Sequence, residues 1–363
     1  MEMKGYVVYE KGGPFVKETI QLAEPEENEV LVRLTATGIC HTDLKYRDII
    51  GAVPILYGHE GSGIVEKIGP GVDKVKVGDR VVVCWDYCGK CEACKVVEVQ
   101  DCASFHLYNG LRKKTLGGNS KLTNQKGEEI NCFLQGTFAT HSVVRQNALL
   151  VIEQDVPLEM LAAMACGVQT GVGTVWNILK PSYTDTLVIT GVGSVGLSAL
   201  LGAKLVNCGK IVAIDYNDRK LAMAQELGAT HIINSKGVDD LSSAVQNAVG
   251  SSANFVIDTT GEPDIITEGI KMLGLNGVIA ALAIGPPVPI SPIGQLNKNK
   301  KTLLSANMGA ADPHKIIPMM IQRYQEGRFP IDKIMNYYSF DEMDKACEEF
   351  HDGLSIKPIL RMS

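Results

Sequence analysis

The spacing of apolar and polar positions divides the chain into two parts of different texture. Up to about Leu150, short segments rich in β-branched residues partly alternate between apolar and polar positions and are bounded by Gly, Pro or Asp. The clearest of these segments are 5–9, 30–34, 63–68 and 79–83. We therefore predict an irregular antiparallel β domain, in which residues 103–129, which show no periodicity, form a long excursion over the surface.

From about Thr186, apolar strands alternate with amphipathic helices. The predicted strands are 186–190, 211–215, 231–233, 254–258 and 278–282. Such alternation indicates βαβ units, and so a parallel sheet with helices on both faces. We expect the last of these strands to be an edge strand that extends the sheet across a twofold axis in a homo-oligomer.

The last part of the chain has a third pattern, with two helical stretches followed by a strand. After Asn307 we predict two helices, 315–326 and 341–351, and a final strand, 357–360. The predicted fold class is thus α/β, with an irregular β domain and a doubly wound parallel-sheet domain.

Composition and charge narrow the functional classes. The 363 residues include 35 Lys and Arg against 41 Asp and Glu, for a net charge of −6, with 45% hydrophobic and 21% charged residues. This is the composition of a globular protein with room for two domains, and it excludes a small disulfide-stapled fold. Without a block of like charges, nucleic acid is not an expected partner. We find no secretory signal and no apolar run of about 20 residues, so we expect no membrane contact and a cytoplasmic location.

Four of the ten cysteines are closely spaced. Cys88, Cys91, Cys94 and Cys102 follow the pattern Cys-x2-Cys-x2-Cys-x7-Cys. In a reducing compartment such spacing indicates a metal site, and tetrahedral Zn²⁺ accepts four thiolates, with an iron–sulfur cluster as the weaker alternative. Because four thiolates fill the coordination sphere, we predict a structural zinc.

A second metal site is suggested by three separated residues. Cys40 follows an alternating strand, His59 lies among the glycines of Gly58-His59-Glu60-Gly61-Ser62-Gly63, and Cys166 precedes a glycine. Taken singly, each is also compatible with an ordinary buried side chain. The glycines raise the expectation for His59, because they let the backbone bend closely around it. Three ligands and one open position are typical of catalytic zinc.

A glycine-rich turn predicts a dinucleotide site. Gly191, Gly193 and Gly196 form Gly-x-Gly-x-x-Gly after a predicted strand and before a predicted helix, and Asp215 ends the next strand. Such glycines allow a pyrophosphate to approach a helix N-terminus. Asp215 would accept hydrogen bonds from ribose hydroxyls and repel a 2′-phosphate, which favours NAD over NADP. Arg219 could soften that preference, although a solvated charge on a helix is the better explanation of this residue.

These motifs together resemble a known family. The pattern Gly58-His59-Glu60-x2-Gly63-x5-Gly69-x2-Val72 resembles the zinc signature of the zinc-dependent medium-chain alcohol dehydrogenases, and the four-cysteine run is similar to the structural zinc lobe of that family. The segments 166–171 and 136–141 look most like the aryl-alcohol (benzyl alcohol) dehydrogenase branch. The resemblance runs essentially from end to end.

The resemblance implies a fold, a division into domains and a set of roles. It implies a GroES-like catalytic domain over 1–167 and 306–363, a Rossmann NAD-binding domain over 168–305, and a homodimer or homotetramer. It implies that the catalytic zinc is held by Cys40, His59 and Cys166, with Glu60 beside it and Asp43 orienting His59. It implies that Thr42 takes up the alcohol proton and that the cofactor is contacted by His41, Val195 and Lys357. The substrate lining that it implies is Cys84, Trp85, Phe133 and Leu134.

One position departs from the family pattern. Five residues after Cys40, where many relatives carry a histidine that passes the proton to solvent, this chain has Lys45. We therefore expect the proton to leave by another way, such as directly from Thr42 and the ribose to water.

The two predicted sites together define a reaction. A zinc ion with an open position activates an alcohol whose carbon passes hydride to the nicotinamide, and in reverse it polarises a carbonyl group. An aromatic and apolar lining suits aromatic or allylic alcohols, although each lining residue could equally be core. Two alternatives stay open: a biosynthetic carbonyl or conjugated-alkene reductase, and a non-catalytic nucleotide-binding relative.

Overall fold

The computed structural model describes residues 1–96, 98–112 and 122–362, which fall into two compact units. The first unit comprises Met1–Cys166, Asp312–Ile317 and Met335–Ser363, and the second comprises Gly167–Ala311 and Pro318–Ile334. The domain bounds expected from the sequence stay a prediction.

Nineteen strands lie in the part of the chain that the structure describes. In chain order they are β1 Glu2–Val8, β2 Val16–Leu22, β3 Glu29–Gly38, β4 Ile55–Leu56, β5 Gly61–Ile68, β6 Arg80–Val83, β7 Leu111–Arg112, β8 Leu122–Asn124, β9 Asn131–Phe133, β10 His141–Arg145, β11 Leu149–Val151, β12 Thr186–Thr190, β13 Lys210–Asp215, β14 His231–Asn234, β15 Ala253–Asp258, β16 Leu273–Ala281, β17 Thr302–Ser305, β18 Met335–Ser339 and β19 Lys357–Arg361.

The α-helices are mostly in the later part of the chain. They are α1 His41–Ile49, α2 Glu92–Lys95, α3 Phe105–Tyr108, α4 Leu158–Leu161, α5 Gly167–Gly173, α6 Ser194–Leu205, α7 Asp218–Leu227, α8 Leu241–Val249, α9 Pro263–Met272, α10 Pro313–Gln325 and α11 Met343–His351. Short 3₁₀ and π-helical turns lie between them.

Two sheets build the first unit. One has the strand order β7-β9-β4-β1-β2-β8, and the other has the order β11-β6-β5-β3-β19-β18 with β10 also paired to β3. Most pairs are antiparallel, and β4/β9 and β18/β19 are parallel. The core of the first sheet includes Tyr57 and Phe138, both 0% exposed, together with Ile20 and Leu56. This agrees with the irregular β-rich texture of the sequence.

The second unit contains a parallel sheet in the order β14-β13-β12-β15-β16-β17. The middle positions of its inner strands β12, β13 and β15 are apolar, which is typical of strands covered on both faces. One of its helices, α7, has typical capping residues at both ends. The Asn217 side chain accepts hydrogen bonds from the first turn of α7, and Gly228, at a φ of +115°, ends that helix.

The expectation that 278–282 forms an edge strand of this sheet is wrong. β16 pairs with β15 on one side and with β17 on the other, so β17 is the outer strand on that side of the sheet. The segment Thr302–Ser305 is short and follows the polar run 297–301, and its apolar content is too small to stand out in the sequence.

The structure describes two parts of the predicted surface excursion over 103–129. Residues 113–121 lie outside the described residues, and the two flanking parts contain α3 and β8. Tyr108 in α3 and Leu122 in β8 are 6% and 5% exposed, but Leu107 is 62% exposed and residues 125–129 are all exposed. The described parts of this region therefore lie on the surface and are anchored by a few buried side chains.

Within the described ranges, no single helix is long and apolar enough to cross a bilayer. One bent pair, Leu158–Ala165 with Gly167–Leu179, meets the length and composition requirement when the two are taken together.

Candidate metal centres and cofactor loop

The four closely spaced cysteines converge on one point. The sulfur atoms of Cys88, Cys91, Cys94 and Cys102 all lie within 4.8 Å of one another. The Cys88 sulfur accepts backbone N–H bonds from Lys90 and Cys91 at 3.4 and 3.3 Å. Backbone N–H groups of Cys94 and Ala103 lower the pKa of Cys91 to about 6, which favours the thiolate. The donor set therefore fits a zinc ion held by four thiolates.

The three separated candidates also meet. Ligand atoms of Cys40, His59, Glu60 and Cys166 lie within 4.8 Å of one another, and His59 Nε2 is 3.2 Å from the Cys166 sulfur. The sheet brings them together, because β3 and β5 are antiparallel with Thr37 opposite Gly61. Cys40 follows β3 and His59 precedes β5, so both lie at the same end of this strand pair.

Asp43 hydrogen-bonds the histidine of this cluster. Asp43 is 0% exposed, and its Oδ1 atom is 2.9 Å from His59 Nδ1 and accepts the Gly58 N–H at 3.1 Å. Its Oδ2 atom accepts the Cys40 N–H at 3.3 Å. With Nδ1 engaged, Nε2 is left to face a metal ion, which is the arrangement that metal-bound histidines need. The roles of these residues stay a prediction.

A glycine allows the chain to bend into this arrangement. Gly58 has a φ of +101°, and a Cβ atom there would lie 2.5 Å from the Phe138 backbone nitrogen. Any other residue would be strained in conformation and would clash with that backbone. Gly38 instead leaves room for a side chain, because a Cβ atom there would lie 2.2 Å from a carboxylate oxygen of Glu60.

The sequence did not reveal a buried ion pair beside the cluster. Lys357 Nζ lies 2.5 Å from Glu60 Oε2 and 2.7 Å from Oε1, and it donates to the Ile39 carbonyl at 3.2 Å. Both side chains are almost fully buried. The predicted contact of Lys357 with the cofactor pyrophosphate competes with this ion pair and stays a prediction.

The strand register explains how Lys357 reaches this place. β19 pairs antiparallel with β3, with Ile359 opposite Gly38, and the same register continued by two residues places Lys357 across from Cys40. The signal in the sequence was a lysine at the start of the predicted strand 357–360, whose other three residues are apolar. Its partner is almost 300 positions away, with a sequence separation of 297.

The charges in the cluster shift one another. Burial lowers the pKa of His59, but Asp43 and Cys40 together outweigh it and hold the pKa well above its ordinary value. The hydrogen bond with Cys166 lowers the pKa of Cys40. Burial raises the pKa of Glu60 to about 7 although Lys357 opposes the shift. The pKa of Lys357 is raised, because Glu60 and the two cysteines outweigh its burial. A cluster of this kind favours bound positive charge, and its Cys, His and carboxylate donors fit zinc.

Three other predicted residues lie on α1. His41 is exposed and its ring stacks on Phe350, with 4.0 Å between the ring centres. Thr42 is half-buried, and its backbone N–H donates to the Cys40 sulfur at 3.5 Å. Lys45 is half-buried one turn further along. The catalytic role of Thr42 and the cofactor role of His41 stay predictions.

The four predicted lining residues fall in two places. Cys84 and Trp85 follow β6 and are 0% and 4% exposed, while Phe133 ends β9 and Leu134 follows it. The Phe133 ring packs between Tyr46 and Tyr57, with ring centres 4.9 and 5.3 Å apart. Phe133 therefore contributes to the core of the first unit, which is the alternative that the sequence left open. The substrate contacts of all four stay predictions.

The glycine-rich turn in the second unit has the shape of a pyrophosphate cradle. It joins β12 to α6, and Gly191 has a φ of +81°. A Cβ atom at Gly196 would lie 2.1 Å from the Gly191 carbonyl oxygen. Gly196 is therefore needed for the helix to pack closely on the turn. A Cβ atom at Gly193 would meet nothing within 4 Å, so open space lies where a ligand would approach. Val195 lies in the first turn of α6 and is half-buried.

Asp215 lies at the end of β13 beside this turn. Its two carboxylate oxygens accept the N–H groups of Val192 and Asn217, each at 2.9 Å. A carboxylate has about four acceptor positions, so two are left for ribose hydroxyls. Asp215 thus also ties the glycine-rich turn to the neighbouring strand, a function that the sequence pattern did not indicate.

Comparison with known proteins decides the family. Residues 26–154 match the alcohol dehydrogenase GroES-like domain, and residues 194–326 match the zinc-binding dehydrogenase domain. Geraniol dehydrogenase of Castellaniella defragrans is 37% identical over 98% of this chain and 96% of its own length. The chain belongs to the zinc-dependent medium-chain alcohol dehydrogenases.

Solved structures of this family agree with that result. Benzyl alcohol dehydrogenase from Acinetobacter calcoaceticus has a TM-score of 0.92 at 37% identity, with full coverage of both chains. An alcohol dehydrogenase zinc-binding domain protein from Burkholderia ambifaria has a TM-score of 0.94 at 33% identity, over 100% of this chain and 99% of that one. These findings confirm the predicted family, fold class and enzyme activity, a zinc- and NAD-dependent interconversion of alcohols and carbonyl compounds.

Proposed function

We propose that this alcohol dehydrogenase oxidises primary aromatic or allylic alcohols to aldehydes with NAD and catalyses the reverse reduction. Its support is the likeness, at 37% identity in each case, to a geraniol dehydrogenase and to a benzyl alcohol dehydrogenase. Geraniol is an allylic alcohol and benzyl alcohol is an aromatic one, and both are primary. The buried cluster of Cys40, His59 and Cys166 is the observation that carries the proposal.

The chain's own residues divide the work. Cys40, His59 and Cys166 would hold zinc, whose chemistry as a Lewis acid makes an alcohol more acidic or polarises a carbonyl group. Asp43 keeps His59 in the orientation that presents Nε2. Thr42 would accept the alcohol proton at its hydroxyl oxygen. With Lys45 at the usual relay position, that proton would pass directly from Thr42 and the ribose to water.

NAD is the proposed cofactor over NADP because of the Asp215 charge. Replacing the carboxylate by an amide, Asp215→Asn, removes the charge that repels a 2′-phosphate. We expect the ratio of kcat/KM for NAD to that for NADP to fall by about tenfold or more. An unchanged ratio would show that another group sets the cofactor preference. Arg219→Gln is the matched variant, since a contribution of Arg219 to NADP binding would raise the same ratio.

The first experiment measures zinc per chain and NADH formation with benzyl, cinnamyl, geranyl and short aliphatic alcohols. About two zinc ions per chain and turnover of the aromatic or allylic members would support the proposal. Turnover restricted to aliphatic alcohols would reject the substrate class. Two zinc ions with turnover only of carbonyl or conjugated-alkene compounds would favour the reductase alternative.

We also propose a homo-oligomer in which β17 pairs with its copy. β17 is the outer strand of the parallel sheet and exposes backbone groups on one side. Light scattering after gel filtration would give the mass, and Leu304→Pro, which removes one N–H from this strand, should shift it toward the monomer. An unchanged mass would place the interface elsewhere. Cytoplasmic location is kept as a proposal and is tested by cell fractionation.

A further inference from the structure

One peptide unit of the glycine-rich turn is held at both ends by side chains. The Gly191 carbonyl accepts a hydrogen bond from the Thr259 hydroxyl at 2.6 Å, and the Val192 N–H donates to Asp215 at 2.9 Å. These two groups belong to the same planar unit, in which the C=O and N–H of a trans peptide point in opposite directions. The two side chains therefore fix the orientation of the peptide between Gly191 and Val192.

The order of the strands explains how both side chains reach this peptide. β12 lies between β13 and β15, and the glycine-rich turn follows β12. Asp215 ends β13, and Thr259 directly follows β15. The peptide is thus held from the two neighbouring strands at once. Asp215 belongs to the dinucleotide pattern of the sequence, whereas Thr259 lies outside that pattern.

The strand end that carries Thr259 is itself well anchored. The Thr259 backbone N–H donates to the Thr190 carbonyl at 2.9 Å. The neighbouring Asp258 is 0% exposed. Its carboxylate accepts the hydroxyl groups of Thr190 and Thr260, each at 2.7 Å, and the Gly261 N–H at 2.9 Å. These bonds tie the ends of β12 and β15 together and fix the backbone from which the Thr259 hydroxyl reaches the turn.

The Thr259 hydroxyl has two carbonyl groups within reach and one proton to donate. The Gly191 oxygen lies at 2.6 Å and the Thr190 oxygen at 3.2 Å, so the shorter contact to Gly191 is the stronger bond. The space around this contact is tight, because a Cβ atom at Gly191 would lie 2.6 Å from the hydroxyl oxygen. A methyl group in place of the hydroxyl would leave the Gly191 carbonyl without this partner.

We propose that Thr259 is a positioning residue for the cofactor, which holds the Gly191–Val192 peptide so that the N–H groups after it face the pyrophosphate. The inference rests on the NAD part of the proposed function, since the turn must receive the pyrophosphate, and it does not depend on the alcohol. The N-cap of α6 is Gly193, which offers no side chain to the first N–H groups of the helix. Those groups are left for an anion, and the peptide before them sets their direction.

The proposal predicts which ligands are affected by the loss of this bond. ADP-ribose carries the pyrophosphate and adenosine has no phosphate. A turn without the Thr259 bond should therefore bind ADP-ribose about fivefold more weakly, the effect of one neutral hydrogen bond, and adenosine equally well. KM for NAD should rise by a similar factor while kcat changes little, because the lost interaction acts on binding.

The experiment measures the dissociation constants of ADP-ribose and adenosine for the zinc-loaded enzyme by isothermal titration calorimetry. In Thr259→Val, which keeps the shape and removes the hydroxyl, the constant for ADP-ribose should rise about fivefold. Thr259→Ser keeps the hydroxyl and should bind ADP-ribose nearly as the wild type does. An unchanged constant in Thr259→Val, an equal loss in Thr259→Ser, or an equal loss for adenosine would overturn the proposal.

A matched threonine at the other end of the same sheet supplies the control. The Thr230 hydroxyl donates to the carbonyl of Ile211 at 3.0 Å, near the start of β13. Thr230→Val removes a hydroxyl–carbonyl bond of the same kind, so it should lower the denaturation temperature and leave ADP-ribose binding unchanged. A loss of binding equal to that of Thr259→Val would show that any weakening of the sheet has this effect, which would overturn the proposal.

Hydrogen exchange measures the restraint on the turn directly, without any ligand. In Thr259→Ala, a second variant that removes the hydroxyl and adds no bulk, the segment containing the Val192 N–H should exchange faster than in the wild type. Equal exchange rates would overturn the proposal even if Thr259→Val does not fold. The binding and exchange assays contain no alcohol, so an error in the proposed substrate class would change the alcohol panel alone. A wild type that binds no ADP-ribose would overturn this inference together with the NAD assignment.

Discussion

The two cysteine-rich clusters of the first unit are built in opposite ways. The four cysteines at 88–102 come from one short segment, and backbone N–H groups surround their sulfurs. Two of these cysteines are half-buried. The cluster of Cys40, His59 and Cys166 draws on three distant segments, and charged side chains, Asp43 and the Glu60–Lys357 pair, lie against it.

The difference shows what each kind of site needs. A four-thiolate site has no open position, so local turns and backbone dipoles are enough to hold the ion. A site with an open position must also control the orientation and charge of its ligands, and this requires groups that only the complete fold brings together. The predictions below test whether function depends on the second cluster in the way that this comparison implies.

The largest effect is expected from His59→Asn. The loss of one of three ligands should abolish binding at the buried cluster, lower zinc from about two ions per chain to about one, and reduce turnover by about 10³-fold or more. Elemental analysis and NADH absorbance measure the two effects. The matched control is His351→Asn on the exposed side of α11, which should change neither. A His59→Asn enzyme with a tenth of the wild-type turnover would contradict the assignment of this ligand.

Lys357→Met should affect stability most. It leaves the buried Glu60 carboxyl without its cation, and breaking a buried pair in this way costs about 3–5 kcal/mol. Differential scanning calorimetry should show a clear fall in the denaturation temperature. The double variant Lys357→Met/Glu60→Gln should recover much of the loss, because it removes both charges.

An exposed ion pair supplies the control for Lys357→Met. Lys345 lies on the surface against Glu342, so Lys345→Met should leave the denaturation temperature nearly unchanged. Equal shifts for the buried and exposed lysines would mean that the ion pair beside the cluster carries no special weight.

Asp43→Asn should have an intermediate effect. The amide removes the negative charge behind His59 and places an NH₂ donor against the N–H donors of Gly58 and Cys40. Zinc affinity or turnover should therefore fall about 10–100-fold. Competition with a chelator measures the affinity. Asp48→Asn, on the exposed side of the same helix, is the control. If both variants behave alike, Asp43 does not act through His59.

The smallest effect on turnover is expected from Cys102→Ser. This variant should lose the zinc of the four-cysteine cluster and denature at a lower temperature, while turnover per remaining zinc stays within about two- to threefold of wild type. Cys208→Ser, at a buried thiol in the second unit, should keep both ions. A loss of zinc from both clusters would show that they are coupled, contrary to the comparison.

Local signals predicted the parts of the site that local sequence determines. The Cys-x2-Cys spacing, the glycines around His59 and the Gly-x-Gly-x-x-Gly turn each express a requirement of nearby backbone, so they are visible in the sequence. The strand and helix pattern of the parallel sheet was visible for the same reason. Their agreement across levels is typical of a well-specified fold.

Long-range pairing accounts for what was not predicted. The Glu60–Lys357 pair depends on the register of β19 against β3, and the outer position of β17 depends on sheet order, and neither is encoded in a short pattern. The hydrogen bond from Val192 in the glycine-rich turn to Asp215 was likewise not predictable from the sequence, because it depends on how β13 lies beside β12.

Those bonds of Asp215 bear on how cofactor preference could change. The same carboxylate that would discriminate against a 2′-phosphate also accepts the Val192 N–H in the turn that would receive the pyrophosphate. A substitution by a small neutral residue would therefore relax selectivity and loosen the phosphate-binding turn at once. A variant that prefers NADP therefore needs a new acceptor for the Val192 N–H as well as the loss of the Asp215 charge. Cofactor preference and the restraint on the turn consequently change together.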